Sequence, residues 1–155
     1  MQTSQTYSPE GVLSPAALDR VLSRLGEPMV RVFAGVMLLP HGAQKLFGWF
    51  GGYGLEATGQ FFATKLGLPP VLALVAGLIE VGGGTLLALG LATRAAALLV
   101  AGLMTVAVVK VHLGAGYFWM SGGYEYPLLW GVVALSFVFR GGGAWSLDAV
   151  LRRHR

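Results

Sequence analysis

The stretch ALVAGLIEVGGGTLLALG, residues 73–90, constrains the fold more than any other. It is apolar except for one carboxylate, Glu80, the only ionisable side chain between Pro69 and Arg94. A membrane helix needs about 20 mostly apolar residues, and three further stretches approach that length. Spans are expected at residues 29–50, 69–92, 95–113 and 124–140; the last is the shortest and needs Tyr124, Glu125 and Arg140 near its ends. Composition agrees: 55% of the residues are hydrophobic and 12% charged, against about 25% charged in a soluble domain. The expected fold is an all-α membrane protein, a four-transmembrane-helix bundle with an amphipathic N-terminal helix and an aromatic outer loop helix.

The charge distribution orients that bundle. All eight arginines lie near the N-terminus and the first residues of span one (Arg20, Arg24, Arg31), between spans two and three (Arg94), or after span four (Arg140, Arg152, Arg153, Arg155). The remaining loops, 51–68 and 114–124, contain one basic residue, Lys65. By the positive-inside rule the arginine-bearing segments are cytoplasmic. The expectation is a multi-pass protein of the bacterial inner (plasma) membrane with both termini inside. A net charge of +4 distributed in this way is a topology signal rather than a nucleic-acid-binding one. The first residues lack the apolar run of a cleavable signal peptide, so span one is expected to act as the insertion signal.

Residues 1–28 form a cytoplasmic N-terminal segment, 29–140 the membrane domain, and 141–155 a basic cytoplasmic tail. SPAALDRVLSRLGEP reads as a short amphipathic helix capped by Ser14, begun by Pro15 and stopped by Gly26 with Pro28. Val21, Leu22 and Leu25 can lie on the inner leaflet while Arg20 and Arg24 meet anionic head groups; a solvent-exposed tail helix is the alternative. WSLDAVLRRHR repeats the pattern with Ser146 as cap and arginines in the last turn, and His154 is solvated. In the outer loops, Trp49, Phe50, Tyr53, Phe61 and Phe62 lie among glycines, as interface aromatics do. Aligned on His41 and His112, the two outer stretches share Phe47 with Phe118, Gly51-Gly52 with Gly122-Gly123, and Tyr53 with Tyr124. Duplication of a helical hairpin would leave such a trace, but coincidence is the favoured account, because glycine and aromatics are common in such loops.

Glu80 has Ala73, Ala76, Gly77, Gly83 and Gly84 on its own helical face, a stripe that lets helices approach closely. Val71, Leu78, Thr85, Leu86 and Leu89 lie mostly elsewhere, so Glu80 is expected to face the bundle. A carboxylate at the bilayer centre costs about 2.5–3.5 kcal/mol on insertion scales, so it has to be protonated, paired or wet. Span one offers His41 and Lys45, one turn apart on a shared face. Lys110 and His112 cannot share a face of span three, and Glu125 opens span four with Tyr124 beside it. The expectation is a polar cluster of Glu80, Lys45 and His41 near mid-depth, with Lys110, His112 and Glu125 in the outer half. A purely structural Lys45–Glu80 pair that sets helix register is the competing reading. Histidines and carboxylates at 41, 80, 112 and 125 are permissible metal ligands, and the two histidines permissible haem ligands, but no short ligand spacing supports either. The absence of cysteine leaves no thiolate for disulfides, Fe–S clusters or a persulfide.

LLPHGAQKL, AGLIEVGGGTLLALGLATR, GGYEYPLL and GGGAWSLD, in that order and spacing from about Arg31 to Asp148, resemble the DoxX family of four-helix membrane proteins. The resemblance implies a compact four-helix bundle that works beside other subunits. The family takes its name from the small subunit of a membrane thiosulfate:quinone oxidoreductase, and its relatives are described as membrane components of redox complexes. Its polar motif residues fall on His41, Gly42, Lys45, Glu80, Arg94, Gly122, Gly123, Tyr124 and Glu125.

Two functions follow as expectations. In the first, the chain is a membrane subunit of a respiratory or redox complex with a quinone or proton site beneath the outer loops. Glu80, Lys45 and His41 carry the chemistry. His112, Lys110, Glu125, Tyr124 and Trp49 help to bind the quinone, by hydrogen bonds or by stacking on its ring. Nothing in the chain implies a metal or flavin, so electrons come from a partner redox subunit. In the second, the chain is a non-catalytic anchor or assembly subunit of a larger membrane complex. A small-solute transporter is weaker, since four spans suffice only if the chain forms a homo-oligomer. The partners expected are the lipid bilayer, redox subunits and further copies of the chain, with no nucleic acid.

Overall fold

A computed structural model describes residues 14–153, without the side chains at positions 17, 20, 21 and 23. The expected roles of Arg20, Val21, His154 and Arg155 lie outside the described residues. Among the described residues the chain is helical with no strand. The first element, α1, runs from Pro15 to Phe47 over 33 residues, and α2, Gly54–Leu66, is the expected short helix after the first aromatic turn. Next come α3 (Val71–Leu78) and α4 (Gly84–Leu89), joined by a π-helical turn at Ile79–Gly83. They make one rod. α5 (Thr93–Val106) continues through a π-helical turn at Ala107–His112. α6 (Glu125–Arg140) and α7 (Leu147–Arg153) complete the chain.

Two rods, Val71–Leu89 and Thr93–Ala115, are long and apolar enough to cross a membrane. α1 has the length but carries Arg31, His41, Gln44 and Lys45. α6 has 16 residues, a rise of about 24 Å, short of the hydrocarbon thickness of about 30 Å.

The expected stop at Gly26 and Pro28 is corrected: α1 runs straight through both, and through Pro40. Pro28 removes one N–H, whose helical acceptor would be the carbonyl of Arg24. That residue is exposed, so water or head groups replace the lost bond and the helix survives. The start is as expected, with Pro15 in the first position. Ser146 caps α7, accepting the Ala149 N–H at 3.1 Å.

Small residues set the spacing of the rods. A Cβ at Gly35 would strike the Gly84 carbonyl, one at Gly84 would lie 2.7 Å from the Gly35 carbonyl, and one at Gly42 would lie 2.8 Å from the Gly77 carbonyl. α1 and the α3–α4 rod are therefore in backbone contact along much of their length. α5 packs on α6 through Val100, Ala101, Met104 and Ala134, with Leu38 of α1 in the same cluster. Ala34, Leu87, Ala97 and Phe137 form a second cluster nearer the arginine-rich end. α1 and α6 meet sparsely, with Phe33 and Trp130 ring centroids 6.5 Å apart.

Candidate functional site

The close approach of α1 and α3–α4 brings Lys45, in the last turn of α1, against Glu80. Glu80 is 5% exposed while Val71, Leu78, Thr85 and Leu89 face outward, the bundle-facing orientation that the small-residue stripe predicts. Lys45 Nζ donates to Glu80 Oε1 at 2.8 Å and contacts the His41 carbonyl at 3.4 Å. The His41 side chain is exposed, though within electrostatic reach of Glu80. Glu80 Oε2 is buried with no hydrogen-bond partner among the described residues. A buried carboxylate oxygen without a donor costs about 1–3 kcal/mol or more, so the pair holds an unfilled acceptor. The lysine side chain is 27% exposed against 7% for the glutamate, which puts the opening on the lysine side. Glu80 lies in a π-helical turn, a distortion that is frequent at functional sites.

Among the described residues, the residues expected in the outer half make no hydrogen bond or ion pair with this pair. His112 and Glu125 find partners nearer by, within their own loop. His112 Nδ1 lies 2.6 Å from the Gly122 carbonyl; a carbonyl only accepts, so Nδ1 carries a proton and donates it. Glu125 Oε2 accepts the Trp119 N–H at 3.2 Å. Tyr124 precedes α6 and packs edge-on against Tyr117, centroids 5.6 Å apart. Lys110 is exposed while His112 is half-buried, the division of faces expected of them. Trp49 is exposed and packs on Phe47 at 5.1 Å. Among the described residues no three histidine or acidic side chains gather as a metal-ligand group.

The two aromatic turns share a left-handed glycine and a close backbone approach as well as residues, though Gly48, Phe50 and Gly54 are left-handed in the first turn alone. Gly51 and Gly122 are left-handed, at φ 76° and 81°, a conformation glycine adopts without steric cost. At the next position a Cβ on Gly52 would strike Gln44, and one on Gly123 the Gly116 carbonyl. Tyr53 and Tyr124 then immediately precede α2 and α6.

Sequence reasoning missed a second polar centre at the opposite end. Arg31 is 2% exposed. Its Nη1 donates to the Leu87 and Ala88 carbonyls at 2.7 and 2.6 Å, and its Nη2 to the Trp145 carbonyl at 2.7 Å. It covers the carbonyl end of α4, where a cation suits the helix dipole. Across the turn, Asp148 Oδ1 accepts the Ala92 N–H at 2.8 Å, and Oδ2 accepts the Thr93 N–H at 2.9 Å and its hydroxyl at 2.7 Å. It caps α5. Burial alone would raise the Asp148 carboxyl, but the Thr93 and Ala92 donors and the charge of Arg152 outweigh it and hold the group below the usual carboxylate range. Gly90, left-handed at φ 67°, ends α4 between the two clasps. Arg31, two residues into an apolar run, was the available signal.

The DoxX family model matches residues 28–113, which hold Arg31, His41, Lys45, Glu80, Lys110 and His112. The chain belongs to the DoxX family. It is 32% identical over 80% of its length to a Bacillus subtilis protein named "Putative oxidoreductase CatD", covering 85% of that protein. It is 38% identical over 77% of its length to a Haemophilus influenzae protein without an assigned role, again covering 85% of it. No solved structure matches the chain. α6 and the Asp148 clasp lie beyond the part that the DoxX model covers.

Proposed function

We propose that this DoxX protein is a four-span subunit of the bacterial inner membrane, with both ends cytoplasmic, that offers the Lys45–Glu80 pair to a quinone on behalf of a partner oxidoreductase. Its relationship to the protein named "Putative oxidoreductase CatD" supports the redox reading. The observation that carries the proposal is the unpartnered, buried Glu80 Oε2 beside an ammonium that retains donor capacity. A purely structural pair has no use for a vacant acceptor in hydrocarbon, where such a group is expensive.

The residues fit a quinone in kind. Lys45 can donate to a carbonyl oxygen, Glu80 Oε2 can accept from a hydroxyl, and His41 is exposed close by to exchange protons with the surroundings. The aromatic turn that follows Lys45, with Phe47 and Trp49 packed together and exposed, supplies apolar surface for a ring. Quinone, when bound, supplies two-electron, two-proton redox capacity that none of this chain's side chains possesses. What the chain contributes is a fixed cation, a carboxylate held in a dry site, and a proton acceptor at its free oxygen.

The anchor reading draws on the outer end, where Phe50, Tyr53, Phe118 and Met120 are 69%, 86%, 69% and 83% exposed, surface suited to a membrane interface or a partner subunit. Titration of the purified protein in detergent with a short-chain quinone separates the two. The Lys45→Met, Glu80→Met double variant is expected to bind at least tenfold more weakly than the parent. Equal binding by parent and variant, or none by either, favours the anchor.

A further inference from the structure

The turn between α4 and α5 forms, with the segment after α6 and with α7, an open groove lined by Thr93, Arg94, Gly141, Gly142, Asp148 and Arg152. Its basic groups are differently placed from their neighbours. Arg31 is committed to three carbonyls and Arg140 lies 3.8 Å from Glu27, whereas Arg94 and Arg152 form no ion pair among the described residues. The acid of the groove does not cancel them. Both oxygens of Asp148 are engaged by Ala92 and Thr93, and Arg152 acts on it only through space. Gly141 and Gly142 place no side chain over the floor. Two guanidiniums against one engaged carboxylate leave a net positive, unfilled recess, and guanidinium forks match phosphate oxygens.

The surface beyond the groove selects among phosphates. From Arg94, α5 carries an exposed apolar stripe through Ala95, Leu98, Leu99, Gly102 and Val106, continuous with the groove and long enough for an acyl chain. A free phosphate has no use for such a stripe.

We propose that the groove binds the phosphate of an anionic phospholipid, held by Arg94 and Arg152, with an acyl chain along the α5 stripe. The site rests on the reading that the arginine-rich end meets the inner membrane surface.

The test is titration of the full chain, in detergent, with phosphatidylglycerol and with phosphatidylcholine of equal chain length, followed by native mass spectrometry. The parent is expected to prefer phosphatidylglycerol. Arg94→Gln with Arg152→Gln should lower that affinity about 30-fold, about fivefold for each arginine near an anionic head group, and leave phosphatidylcholine binding unchanged. Arg24→Gln with Arg153→Gln, which removes as much charge elsewhere, should keep the preference. If the double variant fails to insert, Arg152→Gln alone, on the exposed last turn of α7, should still lose about fivefold. Equal affinity of the parent for both lipids overturns the site, as does an equal loss in the control pair. Inorganic phosphate displacing the lipid at millimolar concentration would assign the groove to a free anion instead. A chain that carbonate strips from membranes refutes the membrane reading itself, whereas one that stays in the bilayer and binds both lipids alike refutes only this site.

Discussion

Two ionisable residues are buried for opposite purposes. Arg31 spends both terminal nitrogens on three carbonyl acceptors and closes a helix end, its buried Nε alone lacking a partner among the described residues; Glu80 has one partner and an idle oxygen beside an ammonium with donor capacity to spare. The first is spent on the fold, the second is left available. Glu80 was legible because a lone carboxylate on a small-residue face needs a cation, and the preceding apolar run carries Lys45 one turn from His41. Arg31 was not, because an arginine at the edge of an apolar run already satisfies the positive-inside rule and nothing in the sequence demands a further role. Asp148 lends itself to a pH test. Its carboxyl is held below the usual range, so the stabilisation is fully present above the unfolded carboxylate pKa of about 3.9 and is lost as pH falls through the lower folded value. Asp148→Asn is expected to cost about 1 kcal/mol at pH 7, the scale of a lost helix cap, and to flatten the decline in thermal midpoint below about pH 4. An unchanged midpoint at pH 7 would refute the clasp.

At the scale of the helices, class and rod order were readable from apolar runs and glycine stops, and the continuity of α1 was not. Proline is disfavoured inside a helix because it removes a hydrogen bond and crowds the preceding turn, and at Pro28 the residue that loses the bond, Arg24, is exposed. The π-helical turns at Ile79–Gly83 and Ala107–His112 were hidden too: the first sits in a run of glycines that leaves the apolar pattern unchanged, and the second at a helix end where the pattern is already running out. The glycine contacts yield a sharp contrast. Gly35→Ala places a methyl against the Gly84 carbonyl and the Ala88 backbone, an overpacking expected to cost about 1–3 kcal/mol. Gly102→Ala meets nothing within 4 Å and should be neutral or stabilising by up to about 1 kcal/mol, the helix propensity difference. Thermal unfolding in detergent reads both, and an equal response would show that the α1–α4 contact is looser than described.

For the molecule as a whole, the polar groups divide into an arginine-rich end, stapled by Arg31 and Asp148, and an aromatic end, where two similar glycine turns precede α2 and α6. The proposal of four spans with both ends in the cytoplasm rests on this polarity. A reporter fused after Arg155 is expected to be active only in its cytoplasmic form; activity of the exported form would reverse the orientation. The central claim is that Glu80 handles a proton for quinone chemistry, and Glu80→Gln tests it most directly, since the change keeps the shape and removes the basic oxygen. The measurement is quinone reduction by membranes holding equal amounts of the inserted parent or variant together with its partner oxidoreductase. The account predicts normal insertion and assembly with the rate lowered at least about 100-fold, the scale of a lost general base; full quinone reduction by the Glu80→Gln complex would contradict it.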